Sequence, residues 1–222
     1  MSLLKTLFRS RDSGKKNPVR VLDHPRDLQV GDIVRFGFTA QEGIGNQSFR
    51  VEAIDTCDLG GEQHKKTLFL LRGTGFEVRL SVADNGHGQA MAERIEVGRS
   101  VVPEEVAQIF DQDAFIDLLD PETGVNHLLE RVGEPGHLAG WTGGVYCQEA
   151  GHNAYYHAGD YRFRQLPDSE EEAEPFSYYF LRSDDRGFGL EIQVYDGGRT
   201  DVYLLVYLSV STIEELWPGD RQ

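Results

Sequence analysis

The sequence predicts an α+β chain in which strands dominate. Three observations carry that expectation: period-two apolar alternation from Leu28 onward, glycine-containing turns between the alternating runs, and one interrupting stretch with helical spacing. The N-terminal half reads as an antiparallel barrel or curled sheet. A short helical connector follows, then a C-terminal antiparallel sheet with a terminal helical turn.

Segment 1–9 reads as a short amphipathic helix. Leu3, Leu4, Leu7 and Phe8 fall within an arc of roughly 140° on a helical wheel, with Lys5 and Arg9 just outside it. "SRDSGKKNP" reads as a linker broken by Gly14 and Pro18. "LQVGDIVRF", "SFRVEAI", "TLFLLRG", "FEVRLSVA" and "AERIEV" are strand candidates over residues 28–98. "GIGNQ", "DLGGEQHKK" and "DNGHG" are the turns between them, the last with the Asn85-Gly86 hairpin signal. In residues 102–132, Pro103 suits a first helical turn with Glu104 and Glu105 behind it, and Val106, Ile109 and Phe110 recur at helical spacing. A second helical stretch covers residues 113–119. "GEPGHLAGWTGGVYCQEAGHNA" reads mostly as loop, and "YYHAGDYRF" as a return to strand. After the acidic "PDSEEEAEP", three strands are expected in "FSYYFLRS" and "GFGLEIQVYDGGRTDVYLLVYLSV". Ser211 and Glu214 have capping-box spacing for a helical turn in "TIEELW". The expected divisions are an arm at 1–20, a barrel-like unit at 21–100 and an α+β unit at 101–222, with the last two able to form one continuous fold.

Charge is divided unevenly. The 222 residues hold 22 Lys and Arg against 37 Asp and Glu, a net charge of -15. Lys5, Arg9, Arg11, Lys15, Lys16 and Arg20 nevertheless lie within the first 20 residues, opposed there by Asp12 alone. An acidic body repels phosphates, so nucleic acid is not an expected partner. Cys57 and Cys147 are too few for a disulfide framework, which suits a reducing cytosol. No apolar run has the length of a membrane span, and the leader lacks a signal-peptide core.

The stretch "YYFLRSDDRGFGLEIQVYDGGRTDVYLLVYLSVSTIEELWPG", the "FIDLLDPETG" segment at residues 115–124 and the basic leader ahead of "LQVGDIVRF" resemble the YjfK-like family of bacterial proteins, a domain of unknown function. The resemblance covers most of the chain and brings no active site with it. It implies a genomic setting beside a phage-shock-type membrane coat protein, a small membrane protein and an ATP-grasp peptide ligase. That setting implies an accessory role at the inner face of a bacterial membrane.

Candidate chemistry is sparse. His137, Cys147, His152 and His157 are spaced H-x9-C-x4-H-x4-H, donors that suit zinc in a spacing that matches no common site. Cys147 near His152 raises a thiol nucleophile, which needs a stabilised thiolate. "GIG", "GTG" and "GFG" lack the rest of a dinucleotide fingerprint and join strands. Asp184, Asp185 and the "DSEEEAE" run read as solvated surface. No catalytic residue, cofactor or metal is assigned. Two function classes are expected. The first is a cytoplasmic accessory protein, peripheral at the inner membrane face, that docks on a protein partner or anionic lipid through Leu3, Leu4, Lys5, Leu7, Phe8, Arg9, Arg11, Lys15 and Lys16. The second is an enzyme or small-ligand binder with a pocket near residues 137–157.

Overall fold

The computed structural model describes residues 20–60, 65–82, 93–119, 127–167 and 173–219. Among these residues, eleven strands form one antiparallel sheet: β1 (Ile33–Phe36), β2 (Ser48–Asp58), β3 (Lys65–Arg72), β4 (Glu77–Val82), β5 (Arg94–Val101), β6 (Leu128–Glu130), β7 (Val145–His157), β8 (Glu174–Ser183), β9 (Phe188–Tyr195), β10 (Thr200–Ser209) and β11 (Ile213–Trp217). Two short helices, α1 (Pro103–Ile109) and α2 (Gln112–Leu118), interrupt them where helical spacing was expected. Pro103 opens α1, and the Asp111 carboxylate caps α2 by accepting from Ala114 N at 3.0 Å.

The strand order is β11-β1-β2-β3-β4-β5-β10-β9-β8-β7-β6, with an additional β2–β7 pairing. Strands from residues 21–100 and 101–222 therefore share one sheet. Strand β2 is long enough to meet two neighbours on one edge. Residues 48–50 pair with β1, and Thr56, Cys57 and Asp58 pair with His157, Tyr156 and Tyr155 of β7. The second pairing closes a ring of eight strands, β2-β3-β4-β5-β10-β9-β8-β7.

Each strand shows two faces, because successive side chains point to opposite sides. One face carries the main core, including Phe36, Phe49, Phe69, Leu80, Val97, Leu190 and Leu204, all at most 1% exposed. Val106 and Ile109 of α1, Leu118 of α2, and Leu138 and Trp141 belong to the same cluster. The linker Val210–Thr212 joins β10 to β11 in three residues, although six steps separate them in the sheet. The sheet must therefore curl at that corner, and Val210, Ile213 and Leu216 pack on the main core there.

The opposite face curls the other way, around the ring. Strands β3 and β9 stand four places apart in either direction, roughly 19 Å on a flat sheet. Yet Lys66 Nζ of β3 lies 2.6 Å from Glu191 Oε2 of β9. Only a ring with this face inside allows that contact. The interior of an eight-stranded ring is just wide enough for side chains to fill.

Three local expectations are corrected. Residues 213–217 form β11, not a helical turn. The strand pairs with β1, and Ser209 rather than Ser211 supplies the cap, its Oγ accepting from Ser211 N. Edge pairing and burial of Ile213 and Leu216 outweigh the local capping signal. The glycine-rich stretch is not mostly loop, for Gly136–Trp141 is a 3-10 helix and Val145–His157 is the longest strand. Two of its glycines serve close backbone approach. A Cβ on Gly133 would lie 1.8 Å from Gln108 O, and one on Gly140 would lie 2.4 Å from Ala40 O. In "YYHAGDYRF" the strand ends at His157 rather than beginning.

Candidate functional site

Inside the ring, four charged side chains meet. Lys66 Nζ is 2.6 Å from Glu96 Oε1 of β5 and 2.6 Å from Glu191 Oε2. Arg79 of β4 donates through Nη2 to Glu191 Oε1 at 2.9 Å. Gln193 Nε2 donates to Glu191 Oε1 at 2.7 Å, Tyr195 OH to Gln193 Oε1 at 2.8 Å, and Tyr207 OH to Glu96 Oε2 at 3.2 Å. The Tyr203 ring covers the Arg79 guanidinium, 3.1 Å from ring centroid to carbon. Two cations face two anions, so the cluster is neutral, and the Glu191 side chain is 1% exposed.

Mutual pairing fixes these charges. Burial alone would raise the Glu191 carboxyl, but Lys66 and Arg79 more than offset it and hold it below its ordinary 4.5. Burial would lower Lys66 and Arg79, yet Glu191 (with Glu96 beside Lys66) drives both upward. Such groups hold their protonation across the neutral range. The cluster is an electrostatic clamp across the ring.

Cys57 lies beside this clamp. Burial first, then the Glu191 charge, pushes its thiol up to about 12. A thiol so placed is inert, whereas Cys147 is exposed. The native protein should accordingly take up one equivalent of iodoacetamide at Cys147, with Cys57 modified only after denaturation. Peptide mapping by mass spectrometry checks this, and rapid native labelling of Cys57 would contradict its burial.

At one mouth of the ring, on the same face, a cleft of about 490 Å³ opens beside Arg79. Ala53, Leu70, Gly98, Ser100 and Tyr203 line it, with Glu52 and the Arg72–Glu77 ion pair also in its wall.

The four donors of residues 137–157 are dispersed. His137 Nε2 bonds Glu105 Oε1 at 2.8 Å, on a carboxylate that also takes Arg99 Nη2 at 2.8 Å. Cys147 lies opposite Arg182 in the β7–β8 ladder. His152 is exposed with its ring 5.3 Å from that of Tyr178, and His157 is buried with its ring 5.7 Å from that of Tyr161. None of them lines the cleft. Among the described residues, no group of three His, Cys, Asp or Glu side chains could hold a metal ion. Asp185 closes the β8–β9 turn, accepting from Ser183 Oγ at 2.6 Å and Gly187 N at 2.8 Å.

Leu3, Leu4, Lys5, Leu7, Phe8, Arg9, Arg11, Lys15 and Lys16 lie outside the described residues. Arg20, assigned to the arm, bonds the buried Asp32 carboxylate, which also accepts from Gln29 N at 2.7 Å and Gly219 N at 2.8 Å. Sequence reasoning missed Lys66, Arg79, Glu96 and Glu191. Their one signal was charge set between apolar neighbours within a strand, clearest at Glu191 in "GLEIQVY" and at Arg79 in "EVRLSV". No protein-family model, curated protein or solved structure matches this chain.

Proposed function

We propose that the protein is a non-catalytic accessory protein of the cytoplasm that joins a membrane-associated protein complex through residues 1–20. The observation that carries this reading is the division of charge between a basic, apolar-striped leader and an acidic body. Arg20 adds to it, because its bond to Asp32 gives the leader a fixed point of departure from the folded body. The four apolar side chains gain by burial against lipid or a partner groove. Each cation adds about 1 kcal/mol near an anionic surface. The resemblance stated above makes a phage-shock-type coat protein the partner of choice. No helix among the described residues is long and apolar enough to cross a membrane, which fits peripheral attachment.

Co-sedimentation with phosphatidylserine vesicles and native capture, each at low and high salt, test the reading. Replacing Leu4, Leu7 and Phe8 together by Ser abolishes capture. Lys15→Ala with Lys16→Ala weakens it and flattens its salt dependence. If removing residues 1–18 changes neither measurement, the proposal fails.

A second reading, a small-ligand binder, is favoured by the cleft. Its site is the ring mouth beside Arg79 and Tyr203 rather than residues 137–157.

A further inference from the structure

The Asp32 carboxylate ties three points of the chain together. It accepts from Arg20, from Gln29 N at 2.7 Å and from Gly219 N at 2.8 Å. The described chain begins at Arg20, so residues 1–19 leave the body at this node. Four exposed apolar side chains flank its members in sequence: Val21, Val30, Ile33 and Trp217, between 36% and 73% exposed. Ile33 and Trp217 stand directly opposite in the β1–β11 ladder and share a face. Strand β11 ends the strand order, so its outer backbone edge has no partner strand among the described residues. Apolar side chains beside an open strand edge are a liability that folded proteins cover.

Charge and reach choose the cover. Glu215 is exposed, and Arg35 opposite it is already held by Glu214 at 3.2 Å. Arg50 stands on the other side of Ile33, on β2, so the acidic side of the patch is the β11 side. An anionic lipid surface would meet Glu214 and Glu215 there. The β11 edge of a second copy would bring the same carboxylates against one another. The leader suits the place better, because it joins Leu3, Leu4, Leu7 and Phe8 to Lys5, Arg9, Arg11, Lys15 and Lys16. It is also long enough. Phe8 precedes Arg20 by twelve residues, a reach of about 40 Å when extended. The five residues of β11 span only about 17 Å. A segment tethered this closely acts at about millimolar effective concentration.

We propose that residues 3–8 cover this patch within their own chain. Leu3, Leu4, Leu7 and Phe8 pack on Val30, Ile33 and Trp217, and the leader's cations lie toward Glu215. The leader is then self-docked in solution, and an anionic surface or partner displaces it in order to bind. That consequence rests on the membrane reading of the leader given above, whereas the contact itself does not.

The test uses the full ¹⁵N-labelled chain, first without vesicles. Leu4→Ser with Leu7→Ser and Phe8→Ser alters none of the described residues, yet it moves the Ile33 and Trp217 amide resonances and the Trp217 indole resonance. The difference persists unchanged on dilution, as a contact within one chain requires. Val30→Ser with Trp217→Ser, neutral changes at exposed positions, frees the leader. Capture by phosphatidylserine vesicles then tightens by about fivefold or more. Three results would overturn the proposal. They are Ile33 and Trp217 resonances unmoved by the leader variant, a difference that fades on dilution, and vesicle capture unchanged or weakened by the patch variant. Weakened capture would make the patch a lipid contact instead. If the unaltered chain captures no vesicles, the membrane reading fails, and the resonances alone decide this proposal.

Discussion

Glu191→Ala lowers the stability of the fold by about 3–5 kcal/mol, the range for removing one partner of a buried ion pair. The substitution leaves Lys66 and Arg79 facing each other inside the ring with Glu96 alone to balance them. Area loss is a minor part of this effect, since the uncompensated charge dominates. A quadruple variant, Glu191→Leu and Glu96→Leu with Lys66→Met and Arg79→Met, recovers most of the loss, because it removes the desolvation penalty of all four charges along with the attraction. Urea unfolding of the three proteins measures both effects. A Glu191→Ala protein within about 1 kcal/mol of the unaltered one would show that the clamp contributes no stability. Acid provides an independent reading of the same group. The folded-state pKa of Glu191 lies below its ordinary 4.5, so its contribution is complete above that value. It is lost as pH falls from 4.5 through the lower folded value. Glu191→Gln therefore shows a shallower loss of stability over that window than the unaltered protein.

Gly133→Ala disrupts the join between α1 and β6 and costs about 3 kcal/mol or more, beyond ordinary overpacking. The added methyl would stand 1.8 Å from Gln108 O, a backbone atom with no rotamer to yield. The surrounding contacts are also backbone-made: Val132 N donates to Ile109 O at 3.0 Å, and Phe110 forms a bridge with Arg131. Moving the chain aside therefore breaks the bonds that hold α1 over the main core. Gly144→Ala is the control, because a Cβ there meets nothing within 4 Å. Thermal unfolding of both variants checks the contrast, and equal melting temperatures would refute it.

These two sites show what can and cannot be read from the chain. Strands β2 to β5 and β8 to β10 were legible because alternating or continuous apolar runs rich in β-branched and aromatic residues are bounded there by turn residues, and the helices because Pro103 and the spacing of Val106, Ile109 and Phe110 are local signals. Gly133 and Gly140 were read as loop formers, since sequence does not reveal that a carbonyl from residue 108 or 40 passes overhead. The clamp was hidden for a related reason. Alternation places Glu191 opposite in face to Leu190 and Ile192 but does not say that the polar face is also enclosed. Enclosure comes from the β2–β7 pairing, between residues about a hundred positions apart, which no window of sequence contains. Residues 213–217 failed in the same way, because their partner is β1.

The place of β10 in the sheet bears on how the chain comes to be folded as it is synthesised. This strand lies between β5 and β9, and it is made after nine others. Until it leaves the ribosome, β5 has one free edge and β9 another, and each presents unpaired backbone groups beside apolar side chains such as Val97 and Ile192. Nascent chains in that condition are templates for pairing with one another. The two halves can prefold as hairpins, but the ring cannot close ahead of β10, the last of its strands to be made. Assembly is governed by contacts distant in sequence, the class that folds in milliseconds to seconds rather than microseconds. Translation that stalls within residues 188–200 would thus release the species most prone to aggregate, and a chaperone acting on this protein has its task in that interval.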